Sequence, residues 1–495
     1  MASELQGTEN KFVSCMVDGD TVWFQGIVKT GADLTYMKIA YSVNLDLSSP
    51  AYSDYTSGAA DTVLRIAIRN LPRGTKYYYR VLISSSTTFG DGTAPTDGDR
   101  YFVTQPTGAK PFKFIVISDA HLNGYQQHGD EGSNLNSANL NASDEPTIRT
   151  QIKRFSAGVL LNKPDLIVWL GDDLFHNLTE ADRQTCYRSF AVATAELGVP
   201  QLFVPGNHEK ENYDNAADCT DGATGKTHRE TYLLHPQNHA PGRYGYTDYG
   251  PVRIIYLTPY AYSPLVAVQH LIDCGGWNWI RSTAPYRYLL GTEQRAFLNQ
   301  VLSAGNQKLN IICMHEFPWT GNNNAVDENL GTPPVSLVNV MNLFGGITSS
   351  GLDLSYVDEN AYIFNAIKNS GKQAIIFKGH DHCYAREVQQ DGIYVYTCPA
   401  IFNWRTDPGI EAEVQAGGLH KINYLYYADA GYYDLGTNPH YLASDDSLAH
   451  LVVEVNPVSE AITTYGIDAD GAEVTAVGMP RASIPFALHG DIVIG

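Results

Sequence analysis

Five short apolar runs, each followed within three residues by a polar side chain able to hold a metal, constrain this chain more than any other feature. Phe114-Ile115-Val116-Ile117 leads to Asp119, Leu166 through Leu170 to Asp172, and Leu202-Phe203-Val204 to Asn207. Ile311-Ile312-Cys313-Met314 leads to His315, and Ala374 through Phe377 to His380. Continuous apolar runs of this length fit strands buried on both faces. Helical patterns lie between them, which is the alternation of an α/β layer fold. Thr179-x-x-Asp182 predicts a capping box opening a helix that runs to about Leu197. Thr292 to about Ala304 predicts another, with Phe297, Leu298, Val301 and Leu302 on one face. Side chains that follow the carboxyl ends of such strands converge on one edge, where sites form in α/β sheets.

The polar groups at those ends fall in the motifs Asp119-Ala120-His121, Gly171-Asp172, Gly206-Asn207-His208-Glu209, His315 and Gly379-His380-Asp381-His382. They supply seven candidate metal ligands, Asp119, His121, Asp172, Asn207, His315, His380 and His382, and one spare histidine, His208. Carboxylate and amide oxygens mixed with imidazole nitrogens suit ions of the Zn, Mn, Fe or Mg class. Two such ions about 3.5–4 Å apart can clamp both the attacking and the leaving oxygen of a phosphoryl group. Each motif alone occurs by chance in many proteins, and a lone His315 reads as a satisfied buried histidine. Their order, and their common position at strand ends, make the set a two-metal site.

Residues 1–105 follow a different pattern, alternating apolar and polar at Thr21–Val28, Tyr36–Tyr41 and Val63–Ile68, which predicts an all-β sandwich. The Pro-containing stretch Gln105 to Pro111 reads as a linker to a catalytic domain over 112–495. Segments 122–146, 210–243 and 317–356 follow ligand motifs and exceed ordinary connections of roughly 4–6 residues, so they are expected over the metal edge as selectors of substrate. The tyrosine-rich segment 404–447 is a fourth insertion. Leu451–Val455 and Ala461–Tyr465, with the Asp470-Gly471 turn, read as a hairpin closing the second sheet.

The balance of 33 Lys+Arg against 53 Asp+Glu gives a net charge of −20, which repels polyanions and disfavours bulk nucleic acid as a partner. The seven cysteines lack Cys-x-x-Cys spacing, against a zinc ribbon or redox pair; a Cys219–Cys274 disulfide is one open pairing. No apolar run reaches the roughly 18–20 residues that span a bilayer. The sequons Asn141-Ala142-Ser143 and Asn177-Leu178-Thr179 favour an extracellular or periplasmic location. Against that, Met1 to Leu5 carries neither the basic nor the apolar part of a signal peptide, and a cytoplasmic location is the alternative.

In order and residue type, the five motifs resemble the metallophosphoesterase (calcineurin-like) superfamily over roughly residues 112–470. The resemblance implies a two-sheet αββα sandwich. It also implies that Asp119, His121 and His382 hold one metal, that Asn207, His315 and His380 hold the other, and that Asp172 bridges. A hydroxide between the metals then attacks phosphorus, with His208 protonating the leaving oxygen. Asp173, Glu209 and Asp381 are expected to orient the ligands. Leu71-Pro72-Arg73-Gly74 and the Tyr77 strand resemble a fibronectin type III domain, and a sandwich ahead of such a catalytic domain looks like plant-type purple acid phosphatases. In that family the small domain helps form one rim of the cleft. The chain departs from it at Phe175, where those enzymes carry a tyrosine ligand, and His121 is expected to take that tyrosine's place.

The function expected is hydrolysis of small phosphate esters with two divalent or transition-metal ions (Zn, Mn or Fe), monoesters ahead of small or cyclic diesters. The alternative of another class is a surface-binding protein with a vestigial metal site, which the intact ligand set disfavours.

Overall fold

A computed structural model describes residues 4–5, 13–90, 100–120, 122, 144–174, 180–206, 223–236, 243–258, 270–271, 280–281, 290–315, 359–379, 385–388, 393–398, 450–467, 471–473 and 482–485. The first seven strands are β1 (Ser14–Asp18), β2 (Thr21–Ile27), β3 (Thr35–Ser42), β4 (Ala51–Gly58), β5 (Val63–Ile68), β6 (Lys76–Ser84) and β7 (Tyr101–Val103). They form one sheet ordered β1-β2-β5 and another ordered β4-β3-β6-β7, the sandwich that the alternation predicts. Period-2 alternation sends Phe24, Met37, Ile39, Leu64, Ile66, Tyr79 and Phe102 into a shared core. There the Phe24 ring meets Tyr79 and Phe102 edge-on at centroid distances of 5.0 and 5.7 Å.

The chain then alternates: β8 (Phe112–Ile117), α1 (Asp144–Leu161), β9 (Leu166–Trp169), α2 (Glu180–Thr194), β10 (Gln201–Phe203), α3 (Ala223–Tyr232), β11 (Gly245–Tyr249) and β12 (Val252–Tyr256). After the short pair β13 (His270–Leu271) and β14 (Ile280–Arg281) come α4 (Gly291–Ser303), β15 (Leu309–Cys313), α5 (Glu359–Ser370), β16 (Gln373–Lys378), β17 (Ala385–Val388) and β18 (Tyr394–Thr397). Three strands close the chain, β19 (His450–Asn456), β20 (Ala461–Ile467) and β21 (Ala482–Pro485).

Two six-stranded sheets result, ordered β10-β9-β8-β19-β20-β21 and β11-β12-β15-β16-β18-β17. In the first, β8, β9 and β10 run parallel; in the second, β12, β15, β16 and β18 do. The two faces of each apolar run have separate partners. Phe114, Val116, Leu166, Val168, Ile311, Ile375 and Phe377 point into the gap between the sheets. Ile115, Ile117, Ile167 and Trp169 point outward under α1 and α2, whose Ile148, Ile152, Phe155, Val159, Tyr187 and Phe190 cover them. Phe297, Leu298, Val301 and Leu302 of α4 cover the second sheet together with Ile363 and Ile367 of α5, the face read from the sequence. Each fully buried side chain of this size contributes about 1.5–3 kcal/mol. The α/β two-sheet sandwich implied by the resemblance is therefore the fold.

The C-terminal hairpin departs from expectation. Strand β19 pairs antiparallel with β8, Leu451 opposite Val116 and Val455 opposite Phe112, so the hairpin completes the first sheet and not the second. Hydrogen bonding within a hairpin says nothing about which sheet its outer edge joins. The connecting turn ends at Glu460, in the left-handed region at φ 51. Gly471 instead packs on α1, where Asn162 Nδ2 donates to its carbonyl at 3.1 Å.

The sandwich is joined to the α/β part by burial as well as polar contacts. Met16 and Trp23 enter the inter-sheet cluster, and Ile27 and Tyr101 enter the cluster under α1 and α2. Tyr79 donates its hydroxyl to Gly198 O at 3.3 Å and Tyr101 to Pro164 O at 2.7 Å, both just before the amino ends of β10 and β9. Arg65 Nη2 donates to the carbonyls of Glu230 and Thr231 at 2.6 and 2.9 Å, and Gln25 to that of Tyr232. These groups satisfy carbonyls that the last turn of α3 leaves open. Among the described residues, the sandwich therefore reaches the amino ends of β9 and β10, opposite the ends that carry the ligand motifs.

Candidate metal centre

The chain leaves β8 at Ile117 and turns at once, because Asp119 sits at φ 51, and it leaves β9 in the same way, with Gly171 at φ 98 and Asp172 at φ 52. Left-handed backbone at a non-glycine residue costs on the order of 1–3 kcal/mol and is retained where the surroundings enforce it. Here they do. Asp119 N–H donates to Gly171 O at 3.0 Å and Leu122 N–H to Asp173 O at 2.8 Å, so the two post-strand segments stay paired beyond the sheet. At Gly171 a Cβ would stand 2.4 Å from Gly206 N; only glycine lets the segment after β10 approach this closely.

His315 arrives from the other sheet, two residues after β15. Its Nδ1 lies 2.9 Å from Leu170 O, and a carbonyl can only accept, so Nδ1 carries the proton. Nε2 then faces Asp172 Oδ2 at 3.1 Å and Asp119 Oδ1 at 3.8 Å. Donor atoms from all three residues lie within 4.8 Å of one another. Asp119 and Asp172 are 1% exposed and His315 0%. Two carboxylates this close and this dry repel each other. A cation among them relieves that repulsion. The hard oxygen and imidazole donors suit a divalent ion of the Zn, Mn or Fe class, so the residues present fit a metal.

Of the sequence-predicted ligands, the structure brings together Asp119, Asp172 and His315. His121, Asn207, His380 and His382 lie outside the described residues, as do His208, Glu209, Asp381, Phe175, Cys219, Cys274 and nearly all of the segments 122–146, 317–356 and 404–447. The residues just before two of them are placed at the centre. Gly206 lies against Gly171, and a Cβ on Gly379 would stand 2.7 Å from Asp119 Oδ2 and 3.0 Å from His315 Nδ1. Part of segment 210–243 is described, as α3 and the stretch after it. That part packs on α2, with Gln184 Nε2 donating to the Tyr232 hydroxyl at 3.0 Å.

Asp173 is 3% exposed and lines a small cavity with Arg229, His235, Phe203 and Pro205. Burial, reinforced by Arg229 and Arg65, lowers the His235 pKa to about 3, so this ring is neutral. Ser118 escaped the sequence reading, and Gly379 entered it only as the first residue of a motif. Ser118 donates its hydroxyl to Asp119 Oδ2, and Gly379 presses on that pair. The only signal for either was a small residue beside a ligand.

The sequence profile described as calcineurin-like phosphoesterase matches residues 112–384, from β8 past the last of the five motifs. No curated protein matches the chain. Among solved structures, PhoD superposes with a TM-score of 0.54 at 12% identity, covering 95% of this chain and 91% of PhoD. A purple acid phosphatase from yellow lupin (Lupinus luteus) seeds superposes with a TM-score of 0.50 at 12% identity, covering 94% of this chain and 72% of the lupin enzyme. At such identities the likeness is one of fold.

Proposed function

The chain belongs to the calcineurin-like phosphoesterase family and is a metal-dependent phosphoester hydrolase, and from that premise we propose a phosphatase of small phosphate monoesters with a two-metal centre. The observation that carries the reading is the buried Asp119, Asp172 and His315 cluster, drawn from both sheets and able to hold a metal ion. When bound, the ions would supply Lewis-acid neutralisation of phosphoryl charge and an acidified water. Asp119 and His121 with His382 would hold one ion, Asn207 and His315 with His380 the other, and Asp172 both.

Each described ligand has a defined task in this proposal. His315 keeps its proton on Nδ1 against Leu170 O and so presents Nε2 as a ligand in a fixed plane. Asp172 would serve both ions, since its carboxylate lies nearest His315 while its chain neighbours Gly171 and Asp173 are hydrogen-bonded to Asp119 and Leu122. His208, which holds no ion in this scheme, would deliver a proton to the leaving oxygen. The solved phosphatase from lupin supports monoesters ahead of diesters, which remain the second class to assay. A net charge of −20 supports small substrates over nucleic acid.

The test is metal analysis of the purified protein beside a panel of phosphomonoesters and phosphodiesters, with and without chelator. About two transition-metal ions per chain and chelator-sensitive monoesterase activity are expected. Full activity in metal-free protein would sink the proposal.

A further inference from the structure

Asp119 offers two oxygens, and they have different neighbours. Oδ1 is the oxygen that faces His315 Nε2, at 3.8 Å. Oδ2 is the one that Ser118 Oγ contacts. An ionised carboxylate only accepts, so the serine hydroxyl must donate to Oδ2. Ser118 is 0% exposed, which keeps water from competing for either partner. Behind the hydroxyl the chain passes as Gly379, where a Cβ would stand 2.0 Å from Ser118 Oγ and 2.7 Å from Asp119 Oδ2. The hydroxyl is therefore boxed against Oδ2, and the backbone of Asp119 is pinned by its N–H bond to Gly171 O at 3.0 Å.

We infer that Ser118 is a positioning residue that holds Asp119 Oδ2 and turns Oδ1 toward a metal, making Asp119 a one-oxygen ligand. The inference rests on the metal-centre reading and goes beyond it, because it assigns a coordination mode and a residue that holds no ion. A carboxylate that binds through both oxygens fills two places on the ion. One that binds through a single oxygen leaves a place for water or substrate, which a hydrolytic site needs. The hydroxyl also spreads charge on the carboxylate and fixes its plane, in the way that partners behind metal ligands commonly act.

The experiment uses the full chain stripped by chelator and titrated with Co2+ alone, reading apparent affinity and the intensity of the visible d–d bands, which weaken as coordination number rises. Ser118→Ala frees Oδ2; the expected result is affinity lowered about 10- to 100-fold and weaker bands per bound ion. Ser118→Thr keeps the hydroxyl and is expected to restore both readings. Should the alanine protein fail to fold by circular dichroism, Ser118→Cys preserves the volume with a poor donor and carries the same expectation. Wild-type affinity and spectrum in a folded Ser118→Ala or Ser118→Cys protein would overturn the inference, as would a folded Ser118→Thr protein that behaves like the alanine variant. A wild-type chain that takes up no Co2+ overturns the metal-centre reading itself, and this inference with it.

Discussion

His315 and Asp172 meet across two sheets: Nε2 of the ring that follows β15 lies 3.1 Å from Oδ2 of the carboxylate that follows β9. Neither sheet alone holds the pair, so the separation between the sheets sets the size of the site. The Leu170 carbonyl, two residues before Asp172, orients the same ring through Nδ1 at 2.9 Å. Backbone and side chain of one turn thus face both nitrogens of a histidine from the opposite sheet.

Crowding of two buried carboxylates predicts opposite effects in the presence and absence of metal. Asp172→Asn removes one charge and keeps a residue that tolerates left-handed backbone, so its chelated form should melt above the chelated wild type. Added Mn2+ at 100 times its dissociation constant should stabilise the wild type by about 2.7 kcal/mol and the variant far less. Melting curves of both proteins with chelator and with Mn2+ check this; a variant that melts lower in chelator contradicts the repulsion.

Gly379 predicts a severe small substitution among the described residues. A Cβ there would lie within 3.0 Å of Ser118, Asp119 and His315 atoms at once, and displacement of catalytic groups by about 1 Å can cost on the order of 10²-fold in rate. Gly379→Ala should lower turnover by at least that factor and weaken metal retention. Gly90→Ala, where a Cβ meets nothing within 4 Å, should be silent in the same assays.

Acid should destabilise the fold through two buried histidines. His450 is 0% exposed beneath α1, 5.2 Å from the Phe155 ring, and burial lowers its pKa from 6.5 to about 3; His235 is lowered to about 3 as well. A folded pKa below the unfolded one means the unfolded chain takes up the proton first. Stability is therefore full above pH 6.5 and falls as pH drops from there toward 3, by up to about 1.4 kcal/mol per pH unit for each ring. Denaturant titrations of chelated protein at pH 7 and pH 5 should show His450→Phe losing about 2 kcal/mol less than wild type. Equal losses would show that the ring charges in the folded state.

Arg65 gives a prediction for the sandwich. Its guanidinium closes the carboxyl end of α3 through Glu230 O and Thr231 O, and hydrogen bonds involving a charged group contribute about 1.5–3 kcal/mol. Arg65→Leu should cost stability of that order while leaving Mn2+ affinity unchanged, measured by melting and by metal titration. Loss of metal affinity at unchanged stability would instead tie the sandwich to the chemistry.

The strands that carry the ligands were legible because both of their faces are covered: a run such as Phe114 to Ile117 has no polar alternation to mislead, and the polar residue that breaks it marks the turn. The α4 face was legible by its spacing. The division of these strands between two sheets came only from the family resemblance, since β9 and β15 read alike and nothing local distinguishes their neighbours. Strands β11 and β12 escaped because Tyr246 and Asp248 interrupt the first with polar groups, and β12 follows no ligand motif. At the site, residue types that bind metals could be named from the sequence. Ser118 could not, and Gly379 could be named only as part of a motif, because their importance lies in what stands next to them in space, the carboxylate of Asp119 and the turn after β15.

The pairing of β8 with β19 sets the order in which a growing chain can complete its first sheet. Strand β8 leaves the ribosome early, bearing Ser118 and Asp119 at its end, but the neighbour that flanks it opposite β9 is encoded from His450 onward. Contacts separated by this much sequence form late. A nascent chain can thus build the sandwich, β9 and even the second sheet while one edge of β8 stays open. The first sheet gains its second neighbour for β8 only once the stretch from His450 onward has been added, some three hundred residues after the strand it flanks.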